Sequence, residues 1–196
     1  MNNVHFKEAR INTAVISKEE ILKACKAIVA EKGLSALNMR TVAKRCNIAL
    51  GSVYNYFRSK DDLVIAAVES VWNSIFDSES TYRQGISFTE YIEAVLKKIR
   101  KGMVRYPDFF TAHSLGFAGK SKNDARNKMY DYFSFLKKEM LAVLQTDTAI
   151  KKNVFSEEFG EDDLADFVLT NFIGLLILQK RSCDVLIAGI RKIIYP

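Results

Sequence analysis

Three times between residues 16 and 53, an apolar residue stands just before a helix-start position and five places ahead of another apolar residue. The pairs are Ile16 with Ile21, Leu37 with Val42, and Ile48 with Val53. Such staples fix the angle at which a chain enters a helix. Ser17 with Glu20 adds a capping box to the first start, and Asn38 is a favourable cap for the second. The sequence therefore predicts three helices, beginning near 18, 39 and 50. The first, over 18 to 32, carries Ile21, Leu22, Cys25, Ile28 and Val29 at the spacing of one buried face, and Gly33 stops it.

The short second and third helices must turn sharply on each other. Asn47 stands where the second has to end in a left-handed conformation, which Asn tolerates better than most residues, so Ile48 can fold back on Ala43. In the third helix Val53 and Phe57 form an apolar anchor, and Gly51, Ser52 and Asn55 fall on the opposite side. An anchoring stripe with small or polar groups opposite is what a helix needs to enter a major groove about 12 Å wide. Residues 38 to 63 thus read as a helix-turn-helix, and they point to DNA.

Charge agrees. Residues 1 to 60 hold eleven Lys and Arg against four Asp and Glu, a net of +7, whereas the other 136 residues have 18 against 19, a net of −1. Basic charge alone fits RNA, a membrane surface or simple solubility as well as DNA; the motif decides between them. Between Asn47 and Phe57 there is no Arg or Lys, so the common arginine-to-guanine contact is missing from this face. Asn55 suits adenine, Ser52 is permissive and Leu50 can pack on a thymine methyl, which predicts half-sites leaning toward A·T. Arg40 and Lys44, four apart on the second helix, are placed to hold phosphate.

From 17 to 64 the chain resembles the TetR family of bacterial transcriptional regulators. The resemblance rests on Glu31-Lys32-Gly33, on Val42-Ala43, and most specifically on the run Gly51-Ser52-Val53-Tyr54-Asn55-Tyr56-Phe57-Arg58-Ser59-Lys60-Asp61-Asp62-Leu63. It implies phosphate contacts at Tyr54 and Lys60, base contacts at Leu50, Ser52 and Asn55, and core roles for Val53 and Phe57. Thr41, Gly51 and Tyr56 complete the expected DNA-contacting set. The chain departs from the family's pattern twice: Ala49 stands where a Ser or Thr cap is usual, and Tyr56 where His is common. The missing cap predicts a recognition helix that frays at its first turn until a phosphate or neighbouring group meets its free N–H groups.

Beyond Lys60 the apolar pattern stays helical, with no competing strand alternation. Ser59 caps a long helix whose first turn holds Asp61 and Asp62, followed by Leu63, Val64, Ala67, Val68, Val71, Trp72, Ile75 and Phe76 on one face. Further amphipathic stretches lie at about 88 to 105, 107 to 116, 122 to 145, 161 to 181 and 183 to 194, with breaks at Gly85, Pro107, Gly119 and Gly160. The expected fold is all-α with about nine helices: a three-helix DNA-binding domain over 1–60 and a helical ligand-binding and dimerisation domain over 61–196.

The resemblance implies that the second region binds a small effector and forms a homodimer through the last two long helices. The expected dimer face draws on Phe167, Asn171, Gly174, Leu178, Ile187 and Ile190, with Gly174 admitting a partner helix closely. For the effector, aromatic side chains around a polar group suggest Trp72, Phe109, His113, Phe117, Tyr130 and Phe133, although rings at helical spacing commonly form core. A palindromic double-stranded operator with half-sites a helical turn or a multiple of it apart requires a dimer. An effector that prefers one domain geometry then shifts DNA occupancy.

Catalytic patterns are absent. Ser114-Leu115-Gly116-Phe117-Ala118-Gly119-Lys120-Ser121 nearly matches a phosphate-binding loop, but Ser114 replaces its first Gly and no strand precedes it. Cys25, Cys46 and Cys183 are too far apart for a paired metal motif, and His5 and His113 do not supply a zinc site, so neither metal nor cofactor is expected. The cysteines suit a reducing compartment. Residues 1 to 16 lack a secretory pattern and no run of 18 apolar residues occurs, so the expected location is the cytoplasm. A helical small-molecule enzyme or carrier with an incidental basic N-terminal region is the reading left open beside a repressor.

Overall fold

The computed structural model describes residues 16–76, 81–107, 109–110, 121–178, 180 and 182–196; the side chains of 121–129 lie outside that description. Eight α-helices carry the fold among these residues, and no strand does. They are α1 (Lys18–Lys32), α2 (Met39–Cys46), α3 (Leu50–Tyr54), α4 (Lys60–Phe76), α5 (Phe88–Arg105), α6 (Ser121–Thr146), α7 (Glu161–Ile177) and α8 (Asp184–Ile194), with a 3-10 turn at Leu34–Ala36 after α1. Of the helix expected over 107 to 116, Phe109 and Phe110 are helical, and most of the rest lies outside the described residues.

The start signals work as expected. Ser17 Oγ accepts from the Glu20 N–H at 3.1 Å while the Glu20 carboxylate accepts from the Ser17 N–H at 2.8 Å. Ile21, Cys25, Ile28 and Val29 are buried under α1, and Leu22 is half-buried. Helix α1 rests on α2 and on α4, and α2 rests on α3. The Ser59 hydroxyl caps α4 through the Asp62 N–H at 3.1 Å, and all eight residues expected on the inner face of α4 are buried.

Helix α4 continues from the three-helix unit into the bundle, where it packs on α5 and α6; α7 lies on α6 and α8 on α5. Gly102 lets α4 and α5 cross closely, because a Cβ there would sit 2.8 Å from Ile75 Cγ1. The C-terminus is clipped to the start of α5. The Asp147 carboxylate, just beyond α6, accepts from the Phe88 N–H at 2.8 Å and from the Tyr195 hydroxyl at 2.5 Å. Burial and the Asp147 carboxylate hold the Tyr195 phenol above its usual range. Deeper in, the Tyr91 hydroxyl donates to Glu139 at 3.0 Å, and burial first, then Glu139, raises the Tyr91 phenol strongly.

The residues expected at the effector and dimer sites lie in varied surroundings. Trp72, Phe109 and Phe133, expected to face an effector, pack ring on ring: Trp72 stands 5.7 Å from Phe109 and 6.2 Å from Phe133, and further stacks on Phe76 and Tyr132. Mutual packing of large rings makes that cluster core. Tyr130 turns outward and is half exposed, while His113, Phe117 and the other side chains of the 114–121 run lie outside the described side chains. Ile187 and Ile190, expected on the dimer face, are covered by their own chain. Helix α7 stops at Ile177 rather than 181, since the Lys180 N–H returns to the Leu175 carbonyl at 3.0 Å and leaves Leu178 in a turn.

Candidate nucleic-acid interface

The turn between α2 and α3 is built by one residue. Asn47 adopts φ 54°, ψ 45°, and its N–H bonds Lys44 while the Ile48 N–H reaches the Ala43 carbonyl at 3.0 Å. This paired return satisfies the last carbonyls of α2 and sets the direction in which α3 leaves. Helix α3 begins at Leu50 behind Ala49, which makes no side-chain cap bond, as the sequence leads one to expect.

Val53 and Phe57 are buried and hold α3 down, and Lys18 lies 5.8 Å over the Phe57 ring. The other side faces outward: Leu50, Gly51, Tyr54 and Asn55 are exposed and Ser52 is half-buried, with Arg40, Lys44 and Lys60 exposed beside them. Nothing lies within 4 Å of a Cβ built on Gly51, so no contact inside the protein requires a glycine there.

Two of the expected contact residues have internal work. Thr41 completes a capping box with Asn38: its hydroxyl accepts from the Asn38 N–H at 3.1 Å and donates to carbonyls, while the Thr41 N–H reaches Asn38 Oδ1 at 3.0 Å. The Tyr56 hydroxyl donates to the Ile16 carbonyl and ties the end of α3 to the chain entering α1, leaving part of its ring exposed. A third tie joins α2 to α1, where the Arg45 guanidinium grips Glu31 at 2.6 and 2.5 Å and holds that carboxyl below its usual range. The Asn38-x-x-Thr41 spacing is visible in the sequence as a capping pattern. The Tyr56 and Arg45 ties join residues 40 and 14 positions apart and leave no local signal.

The surface has the features of a polyanion-binding face: a short helix presenting small and polar groups, flanked by unburied cations. No group of three or more His, Cys, Asp or Glu able to hold a metal occurs among the described residues. Residues 17–67 match the family model of the bacterial regulatory proteins of the tetR family. The HTH-type transcriptional repressor KstR of Rhodococcus jostii is 29% identical over 174 residues, spanning 86% of this chain and 76% of that protein. Residues 17–67 carry the DNA-binding region of the tetR family.

Solved structures extend the likeness of fold beyond the helix-turn-helix. BioQ, crystallised with its double-stranded DNA operator, superposes with a TM-score of 0.55 over 84% of this chain and 86% of that one, at 14% identity. FadR of Bacillus subtilis, crystallised with stearoyl-CoA, gives a TM-score of 0.57 over 90% and 95%, also at 14% identity. At such identities the likeness is one of fold. No helix among the described residues is long and apolar enough to cross a membrane.

Proposed function

We propose that this chain is a ligand-responsive transcriptional repressor of the TetR family, which binds a palindromic DNA operator as a homodimer and releases it when a small molecule binds its helical C-terminal region. The observation that carries the reading is the outward face of α3, where Leu50, Gly51, Tyr54 and Asn55 stand exposed over a buried Val53 and Phe57 anchor. Arg40, Lys44 and Lys60 hold phosphates beside it and Tyr54 adds a fourth contact; Leu50, Ser52 and Asn55 face bases. Thr41 and Tyr56 act mainly by fixing α2 and α3, with the exposed Tyr56 ring edge toward the backbone of the operator.

Repression is favoured by the similarity to a named repressor over most of the chain. BioQ on its operator and FadR with stearoyl-CoA support a DNA partner and a small-molecule effector. The 1–60 part binds DNA and the 61–196 part the effector, the division falling at the start of α4. The protein acts in the cytoplasm, without catalysing a reaction. Its dimer face is the outer side of α7 and the turn after it, where Phe167 and Leu178 are exposed apolar side chains and the space beside Gly174 is open. Asn171, between them, uses its amide on the Phe167 carbonyl at 2.8 Å.

Operator selection from random duplex DNA tests the reading, with Tyr54→Ala as control. A palindrome rich in A·T at the contacted positions, lost in the variant, is the expected result. No enriched sequence, or an enrichment indifferent to Tyr54, sinks it.

A further inference from the structure

Between the last turns of α4 and the second half of α5 lies a cleft of about 410 Å³. Ser74 and Ile75 form one wall and Lys97, Lys98, Lys101 and Arg105 the other. Lys97, Lys101 and Arg105 are spaced four apart, so they stack on one face of α5, a stripe spanning about 12 Å at 1.5 Å per residue. No acidic residue occurs in α5 after Glu93. Among the described residues no recorded ion pair reaches these three side chains.

The floor is polar but internally satisfied. The Ser74 hydroxyl donates to the Val71 carbonyl at 2.8 Å and lies 2.9 Å from the Tyr106 hydroxyl, and Tyr106 is buried. Lys98 Nζ donates to the Phe76 carbonyl at 2.8 Å, closing the end of α4. Recognition in the cleft therefore falls to Lys97, Lys101 and Arg105.

A solvated helix face does not account for this arrangement. Like charges four apart repel on a helix surface. The helix dipole rewards cations only within the last turn, which covers Arg105 and leaves Lys97 and Lys101 without that gain. Nor is the cleft part of the DNA face, since Ser74 lies fourteen residues along α4 from Lys60, about 21 Å away.

We propose that this cleft binds a small ligand through two or more phosphate groups. One carboxylate or one phosphate meets only a pair of these cations, whereas linked phosphates follow the stripe, each with its own charge-assisted hydrogen bonds. Assigning the occupant as the effector rests on the regulator reading above; the binding itself does not.

The test titrates inorganic triphosphate into the full chain without DNA at low ionic strength, by calorimetry and by the fluorescence of Trp72, the single tryptophan. Because no operator is present, the result is independent of whether the chain reads DNA. Saturable binding at one site per chain is expected, about tenfold weaker for each of Lys101→Gln and Arg105→Gln, and unchanged in Lys44→Gln. Both substituted side chains are exposed, and unfolding midpoints confirm that the variants fold. Inorganic phosphate binds at least about tenfold more weakly than triphosphate if linked phosphates are recognised. ATP binding more tightly than triphosphate identifies a nucleotide, and equal binding identifies the phosphates alone. Absence of saturable binding, equal affinity for phosphate and triphosphate, or loss in Lys44→Gln instead of the α5 variants overturns the proposal.

Discussion

Gly51 is the residue at which folding and the proposed DNA binding make opposite demands. In a helix glycine is less favourable than alanine by about 1 kcal/mol, and the open space around it shows no internal reason for accepting that cost. A glycine with nothing of its own chain beside it suits the close approach of an external backbone. Gly51→Ala is therefore expected to raise stability by about 0.5–1 kcal/mol in urea unfolding and to weaken operator binding by about tenfold or more. If operator affinity is unchanged, Gly51 does not face DNA. Its neighbour Asn47 was legible for a related reason: among the described residues only it and Asn153 carry a positive φ without being glycine, and both are of the type that tolerates it.

At the scale of the element, α3 is the weak point. It has five residues, and Ala49 offers its first turn no acceptor. A good cap contributes about 1 kcal/mol, so Ala49→Ser should raise the unfolding midpoint and slow amide exchange at residues 50 to 52. Equal protection in parent and variant would mean that the first turn is already held by other contacts. Helix starts were readable because caps and staples are local, and Ser17, Asn38 and Ser59 each bond as their spacing requires. The end of α7 was not, because the stop comes from the Lys180 N–H turning back on Leu175, without a Gly or Pro to announce it. Gly102 was likewise silent; its value lies in Ile75, a side chain on a different helix.

For the whole molecule, Phe167→Glu places a charge at the centre of the proposed dimer face. Loss of a central aromatic anchor typically costs 2 kcal/mol or more, so sedimentation should show monomers and operator binding should fall, while the folded chain persists. A dimer that survives the change would move the interface elsewhere. A second whole-molecule outcome concerns alkaline pH. Burial first, then the neighbouring Cys46, lifts the Cys25 thiol from 9.0 to about 12, and burial lifts Tyr132 to about 12. Both are acids with raised folded-state values, so their contribution is fully present below the unfolded values and is lost as pH rises through the folded ones. Cys25 alone should remove about 2 kcal/mol of stability near pH 10.5 relative to pH 8, measured by urea unfolding; a flat profile would mean that Cys25 is not shielded. By itself the sequence determined the helical class, the capped starts of α1, α2 and α4, the Asn47 turn and the outward side of α3, because each depends on residues close together along the chain. Only the tertiary structure decided that Trp72, Phe109 and Phe133 close on one another, that Ile187 and Ile190 belong to their own core, and that the Lys97, Lys101 and Arg105 stripe opens onto a cleft beside α4. Those outcomes depend on which helix lies against which, and helical periodicity gives every amphipathic helix a buried face without naming the neighbour that covers it.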